Sequence, residues 1–241
     1  MFRQPGRRFL YKALAVGASG SFTKPHVEHL EAQASCALPI HGGRASARVD
    51  NFQHRNIISF RSAQTHASGS HDPETESWNT LVTATVEGLN IQHVVTCDRI
   101  VARLASHHFE DGREPSIITL GSHFDNLKVA GQPVTYDPDS RVMKEWDTFS
   151  KAKNGCPDLR PYANDGHRIH SSIVQNVQCV GGVDIEDNAI LFTELGKIFL
   201  GEIIIYDGER HLTMMRVEFG CETDGSGNFG DVGGNGSPSP P

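Results

Sequence analysis

Thirteen histidines in 241 residues is a high count, and they fall near carboxylates in a way that could support metal chemistry. His107 and His108 are followed by Glu110 and Asp111. His167 and His170 sit three apart, and Asp184, Glu186 and Asp187 lie further along. A catalytic zinc needs about three nitrogen or carboxylate ligands converging on one open position. Adjacent histidines on a strand point to opposite faces, so His107 and His108 cannot both serve unless the strand ends there. Spacing of three suits a helix, yet the IHSSIVQNV around His170 reads as strand. Solvated loop histidines explain these clusters better than a metal site.

The end of the chain raises two further readings. Gly225, Gly227 and Gly230 spell G-x-G-x-x-G, but GSGNFGDVGGNGSPSPP opens no helix after it, as a dinucleotide site requires. Asp224, Ser226, Asn228 and Asp231 offer oxygen at near-alternate positions. An EF-hand loop would need Gly and Glu where Phe229 and Asn235 stand. No H-E-x-x-H, G-x-S-x-G or phosphate loop occurs. No catalytic, cofactor-binding or metal-ligating residue is therefore assigned, and no cofactor is expected.

Composition bounds the partners and the compartment. The net charge is −7 and no basic face stands out, which disfavours nucleic acid. No stretch approaches the roughly 20 apolar residues of a membrane-spanning helix. The five cysteines are odd in number, far apart and never C-x-x-C, which favours free buried thiols. MFRQPGRRFLYKALAVGASG has the outline of a secretory leader, but Lys12 interrupts its apolar run. A first strand ending near Gly17 to Gly20 explains it as well, and the weak leader favours a cytoplasmic location over export.

The elements that would position any site are mostly strands. Twenty-four glycines and twelve prolines mark a turn-rich chain. WNTLVTATV and VVTCDRIVARLAS alternate with period two. KIFLGEIIIY is apolar on both faces, which suits a central strand. Asp207-Gly208 joins it to ERHLTMMRVEF, predicting an antiparallel hairpin, Ile198 to Tyr206 with His211 to Phe219. Val142, Met143, Trp146 and Phe149 follow a 3.6-residue period, predicting one amphipathic helix over about 141–153. Asp139 or Ser140 would cap its start, and Asn154-Gly155 would stop it.

One phrase recurs: VDNFQ, VEGLNI, FDNLKV and VQNVQC each follow a strand-like run. Asn51, Gly88, Asn126 and Asn176 stand at the same place in each, and Asn and Gly tolerate a left-handed backbone. These four residues are expected at equivalent bends or bulges of a rolled sheet. Their uneven intervals exclude a strict solenoid.

The run TATVEGLNIQHVVTCDRIVARL, with ITLGSHFDNLKVAGQPV and RHLTMMRVEFG, resembles a group of uncharacterised bacterial β-rich proteins and, more distantly, exported choice-of-anchor domains. The resemblance covers about residues 40 to 220 and implies a β-rich fold without any assigned catalytic residue. The expected architecture is mainly β, an antiparallel sandwich or partly closed roll with one short helix. One domain over 1–222, with 1–35 loosely attached or a leader, would precede a flexible 223–241 tail. The expected function is a non-catalytic structural, surface or binding module meeting a protein or glycan partner through loops. The alternative is a metal- or carboxylate-dependent hydrolase or lyase on the same scaffold.

Overall fold

The computed structural model describes residues 9–24, 26–155, 168–181, 183–220 and 223–238. Strands β1 (Phe9–Lys24), β2 (Glu28–Gln33) and β3 (Cys36–Ala37) open the chain in the first of two sheets, sheet A. The second, sheet B, takes β4 (Gly43–His54), β5 (Ile58–Asp72), β6 (Ser77–Ile91), β7 (Val95–Phe109) and β8 (Ser116–Ile118). It continues with β9 (His123–Asp125), β10 (Lys128–Val129) and β11 (Gln132–Pro138). β12 (Arg168–Ser172) returns to sheet A and β13 (Val174–Cys179) to sheet B. β14 (Asp184–Glu186), β15 (Ala189–Phe192), β16 (Gly196–Tyr206), β17 (Glu209–Gly220) and β18 (Asp224–Pro238) complete sheet A.

Among the described residues every pairing is antiparallel and neither sheet closes into a barrel. Sheet A runs β14-β15-β16-β17-β18-β1-β2, and sheet B runs β13-β11-β10-β7-β6-β5-β4. β1, β17 and β18 lie over β5, β6 and β7. Between them Ile58, Leu89, Ile91, Ile100, Leu104, Leu212 and Phe229 are sealed from solvent. The mainly β sandwich expected from the turn-rich composition is the fold.

The predicted hairpin is present, with Tyr206 opposite Glu209 and Ile198 opposite Val217. β16 also pairs with β12 and β15 on its other side, so it is internal, and Ile203 and Ile205 are fully buried.

The recurring phrase marks a crease. Asn51, Gly88, Asn126 and Asn176 all have positive φ, at 53°, 65°, 51° and 51°. The pairings flanking Asn51 and Arg61, then Gly88 and Asp98, then Asn126, set the first three in one row across β4, β5, β6, β7 and the end of β9. At that row the inward side chains change parity. On β6, Val82, Ala84 and Val86 are buried before it and Leu89 and Ile91 after it. On β7, Val95 and Cys97 precede it and Ile100, Ala102 and Leu104 follow. One extra residue per strand flips the alternation, as in a bulge. Because neighbouring strands insert it together, the ladder register persists. Asn176 lies apart from the row, on β13 beside the register shift of β11 between Thr135 and Asp137.

Sheet A has its own crease, with positive φ at Gly201, Gly230 and Ala34. There β16 switches from Ile198 and Leu200 to Ile203 and Ile205, and β17 from Leu212 and Met214 to Met215 and Val217.

The expected helix is divided. A π-helical turn, Arg141–Glu145, starts after Asp139 Oδ1 accepts from the Arg141 amide at 3.0 Å. It stops at Trp146, and α1 (Phe149–Gly155) follows, ending at the expected glycine. The interruption has a cause. The carbonyls of Met143, Trp146 and Asp147 accept from the Thr119 amide, the Arg210 guanidinium and the Ile117 amide. Val142, Met143, Trp146 and Ala152 are buried.

At the termini, β1 pairs with β18 from Phe9 opposite Pro238 to Lys24 opposite Asp224. From Phe9 onward the leader-like run is a strand inside sheet A, and residues 1–8 lie outside the described residues. Most of the segment expected as a C-terminal tail is strand. Asp224–Pro238 form β18, between β17 and β1, and 239–241 lie outside the described residues. Glycines normally weaken a strand, but here they make room for neighbours. A Cβ at Gly236 would strike the Phe9 ring, and one at Gly234 would meet Leu104 Cδ2 at 2.6 Å.

Among the described residues Cys36 and Cys97 are buried free thiols and Cys179 is a half-buried one, while Cys156 and Cys221 lie outside the described residues. Burial pushes the Cys97 thiol up to about 12, which keeps it protonated at neutral pH.

Candidate functional site

The structure disperses the residues that suggested a metal. His107 is exposed and His108 buried on β7, on opposite faces as strand geometry requires. Glu110 accepts from His71 Nε2 at 2.6 Å, and Asp111 pairs with Arg113 Nε at 3.2 Å. His167 lies outside the described residues. His170 is on β12, Asp184 and Glu186 are exposed on β14, and Asp187 occupies the turn after it. The two groups therefore belong to different sheets. Among the described residues, no three His, Cys, Asp or Glu side chains are grouped to hold a metal ion.

Asp224 and Ser226 lie two positions apart on β18, and Asp224 is 3.6 Å from Lys24 Nζ. Gly225, Gly227 and Gly230 are strand residues, so no helix follows them to bind a dinucleotide. Asn228 and Asp231 have a different setting. Both project to the outer face of sheet A, on either side of its crease, because Phe229, Gly230 and Val232 face inward.

Three cross-strand rows build that face. Glu202, Thr213, Asp231 and Val16 form one. Phe199, Arg216, Asn228 and Ser19 form the second. His170, Ile204, His211, Gly233 and Leu14 form the third. Arg216 is fixed by Glu202, with Nε to Oε2 at 2.7 Å and Nη2 to Oε1 at 2.9 Å, and by Glu218. Its guanidinium lies 3.8 Å from the centroid of the Phe199 ring. The Glu202 hydrogen bond raises the Arg216 pKa further above its ordinary value. Such a clamped, stacked cation presents a rigid planar surface.

Asp231 is under opposing influences. Burial pushes its carboxyl above the ordinary carboxylate value. The Thr213 hydroxyl and then His211 pull it down, and Glu202 pushes it up. The His211 ring lies against Gly233, where Nδ1 is 2.9 Å from the place a Cβ would occupy. Asn228 Oδ1 and Asp231 Oδ1 are shielded from solvent and accept no hydrogen bond within the protein. Turned outward, the half-buried Asn228 and Asp231 side chains can accept hydrogen bonds from a ligand on this face, and the raised Asp231 carboxyl keeps its proton to higher pH than an ordinary one.

No local motif announces this array. Glu202, Thr213, Arg216, Asn228 and Asp231 come from three strands, and each is an ordinary outward position of its own alternation. The visible signal was the parity of β16 and β17. The third strand, β18, lies in the Gly-rich segment whose composition resembles a tail.

These features define a two-sheet antiparallel β-sandwich with a half-buried polar array on one outer face. The chain belongs to the family described as Domain of unknown function (DUF8256), whose model matches residues 9–158. That match takes in β1 to β11 and the helical segment and ends before β12. No curated protein and no solved structure matches the chain.

Proposed function

We propose that the protein is a binding module whose recognition surface is the outer face of sheet A, for a hydroxyl-bearing ligand such as a glycan. The observation that carries this reading is the pair of shielded acceptors, Asn228 Oδ1 and Asp231 Oδ1, without an internal donor. A buried acceptor left unsatisfied costs about 1–3 kcal/mol, which is recovered when these half-buried side chains turn outward to a ligand donor. The neighbouring Arg216–Glu202 pair supplies a fixed polar rim, and Phe199 beneath it an apolar one. The surface belongs to hydrogen-bonded strands of sheet A, not to the loops expected from sequence.

A second reading, a carboxylate-dependent hydrolase or lyase, draws on one observation. Asp231 holds its proton more tightly than an ordinary carboxyl and sits within the field of His211. Paired groups with separated proton affinities are how acid and base roles are divided in catalysis.

Glycan-array screening of the wild type, with hits measured by calorimetry, tests the first reading. Asn228→Leu and Asp231→Leu should each weaken binding roughly tenfold, about 1.4 kcal/mol, with melting transitions intact. Binding unchanged in both variants would overturn it. Turnover of a hit that disappears in Asp231→Asn while affinity survives would replace it with the second.

A further inference from the structure

The edges of the two sheets differ in length. β2, β13 and β14 hold 6, 6 and 3 residues, whereas β4 holds 12. β4 pairs with β5 from Gly43 opposite Gly69 to His54 opposite Ile58, and no described strand pairs with its other side. Such an edge is a ready template for another strand, which is why long edges are usually shortened or blocked. GRASARVDNFQH contains neither Pro nor Lys. Before the crease, Arg44, Ser46, Arg48 and Asp50 are exposed on one face. Ala45, Ala47 and Val49 are only partly buried against the core on the other.

We propose that β4 is a self-association edge, pairing antiparallel with β4 of a second copy about a two-fold axis through Ala47. In that register Arg44 of each copy faces Asp50 of the other, and Ser46 faces Arg48. On the inner face Ala45 meets Val49 and Ala47 meets its own equivalent, so the half-covered apolar strip of each copy covers the other. The interface is isologous, as closed dimers require.

Charge and the crease select this register. Centring the axis on Arg48 would place two guanidinium groups opposite each other, and like charges directly across a ladder are destabilising. Centring it on Val49 or beyond would run the ladder through Asn51, where a φ of 53° and the change of parity break regular pairing. With Ala47 at the centre, Asn51 falls opposite Gly43 and the ladder ends there. The Arg48–Asp50 contact within one chain is exposed, at 2.8 Å, and such surface pairs are worth little. Asp50 can therefore turn toward Arg44 at small cost. The short ladder places the dimer among weak, concentration-dependent associations, and it leaves the outer face of sheet A free in both copies.

An engineered cysteine reads the axis directly. Facing Cα atoms in an antiparallel pair are about 4.5–5.5 Å apart, within the roughly 4.4–6.8 Å that a disulfide spans. Under mild oxidation Ala47→Cys should form a covalent dimer well beyond the wild-type background, and Ser46→Cys, which faces Arg48, should not. Sedimentation of the wild type should show monomer passing to dimer as concentration rises, and Arg44→Glu should raise the dissociation constant roughly tenfold. A wild type monomeric throughout the series would overturn the proposal. So would a dimer that Ala47→Cys fails to trap, or an edge that takes up extended foreign peptides while the chain itself stays monomeric.

Discussion

Asn126 donates from Nδ2 to Asp98 Oδ2 at 3.0 Å across the crease of sheet B, and Asn176 repeats the contact with Asp137 Oδ2 at 2.9 Å. In both places a left-handed residue ties its side chain to a carboxylate on a neighbouring segment. The backbone conformation and the hydrogen bond thus ask for the same residue type, which is why Asn recurs there.

Replacing Asn126 separates the two contributions. Asn126→Gly keeps the left-handed backbone and loses only an exposed hydrogen bond, so it should cost under about 1 kcal/mol. Asn126→Ala also places an ordinary side chain at a φ of 51°, adding about 1 kcal/mol or more. Equilibrium denaturation should rank wild type, Gly and Ala in that order. Equal costs for Gly and Ala would mean the backbone is not held left-handed in solution.

The crease shows what was legible in the chain and what was not. Asn51, Gly88 and Asn126 were readable because a left-handed backbone leaves its mark on one residue, whatever surrounds it. The hairpin at Asp207-Gly208 was readable for the same local reason. β18 was not, because its glycines are there to admit Phe9 and Leu104, whose positions only the folded sandwich supplies. The divided helix is a similar case. Its period is intact in the sequence, and the break comes from Arg210, Ile117 and Thr119 claiming its carbonyls. The polar array on sheet A depends on three strands at once, so no window of sequence contains it.

Arg210 is almost fully buried at the end of the sandwich, 1% exposed. Its Nη2 donates to the Trp146 carbonyl, while Nη1 has no hydrogen-bond partner. Burial pulls its pKa down to about 10, with Asp147 and Glu114 opposing, so it stays charged at neutral pH. A buried charge with incomplete partners is weak evidence for stability. Arg210→Met should therefore lie within about 1 kcal/mol of the wild type. Arg210→Ala, which leaves a cavity against Trp146, should lose about 2–4 kcal/mol. Urea denaturation compares them, and a Met variant as unstable as the Ala one would show that the charge itself holds the helical segment.

Ile203 and Ile205 are fully buried on β16 beneath the sheet A crease. Truncation of either to Ala should cost about 2–5 kcal/mol, since a site enclosed by β12 and β17 on both sides cannot collapse freely. A loss below about 0.5 kcal/mol would place β16 at an edge instead of inside the sheet.

His108 makes stability depend on acidity. It is 6% exposed, its ring lies 4.9 Å from that of Phe9, and its Nε2 has no hydrogen-bond partner. Burial, with a smaller push from His107, lowers its pKa from 6.5 to about 4. Between those values the unfolded chain binds a proton that the folded one refuses. Stability from this group is therefore intact above pH 6.5 and falls as the pH drops toward 4, by about 3 kcal/mol over the window. Asp231, whose carboxyl is raised, acts in the opposite direction, gaining stability as the pH falls. Glu87, Asp139 and Asp147, held below their ordinary values, add to the acid loss. These contributions are common to wild type and variant, so their difference isolates His108. His108→Leu should match the wild type within about 1.5 kcal/mol at pH 7.5. Near pH 4.5 it should be the more stable protein by about 2 kcal/mol relative to that starting point. Denaturation curves for both at the two pH values make the comparison, and parallel losses in acid would show that His108 is not buried neutral.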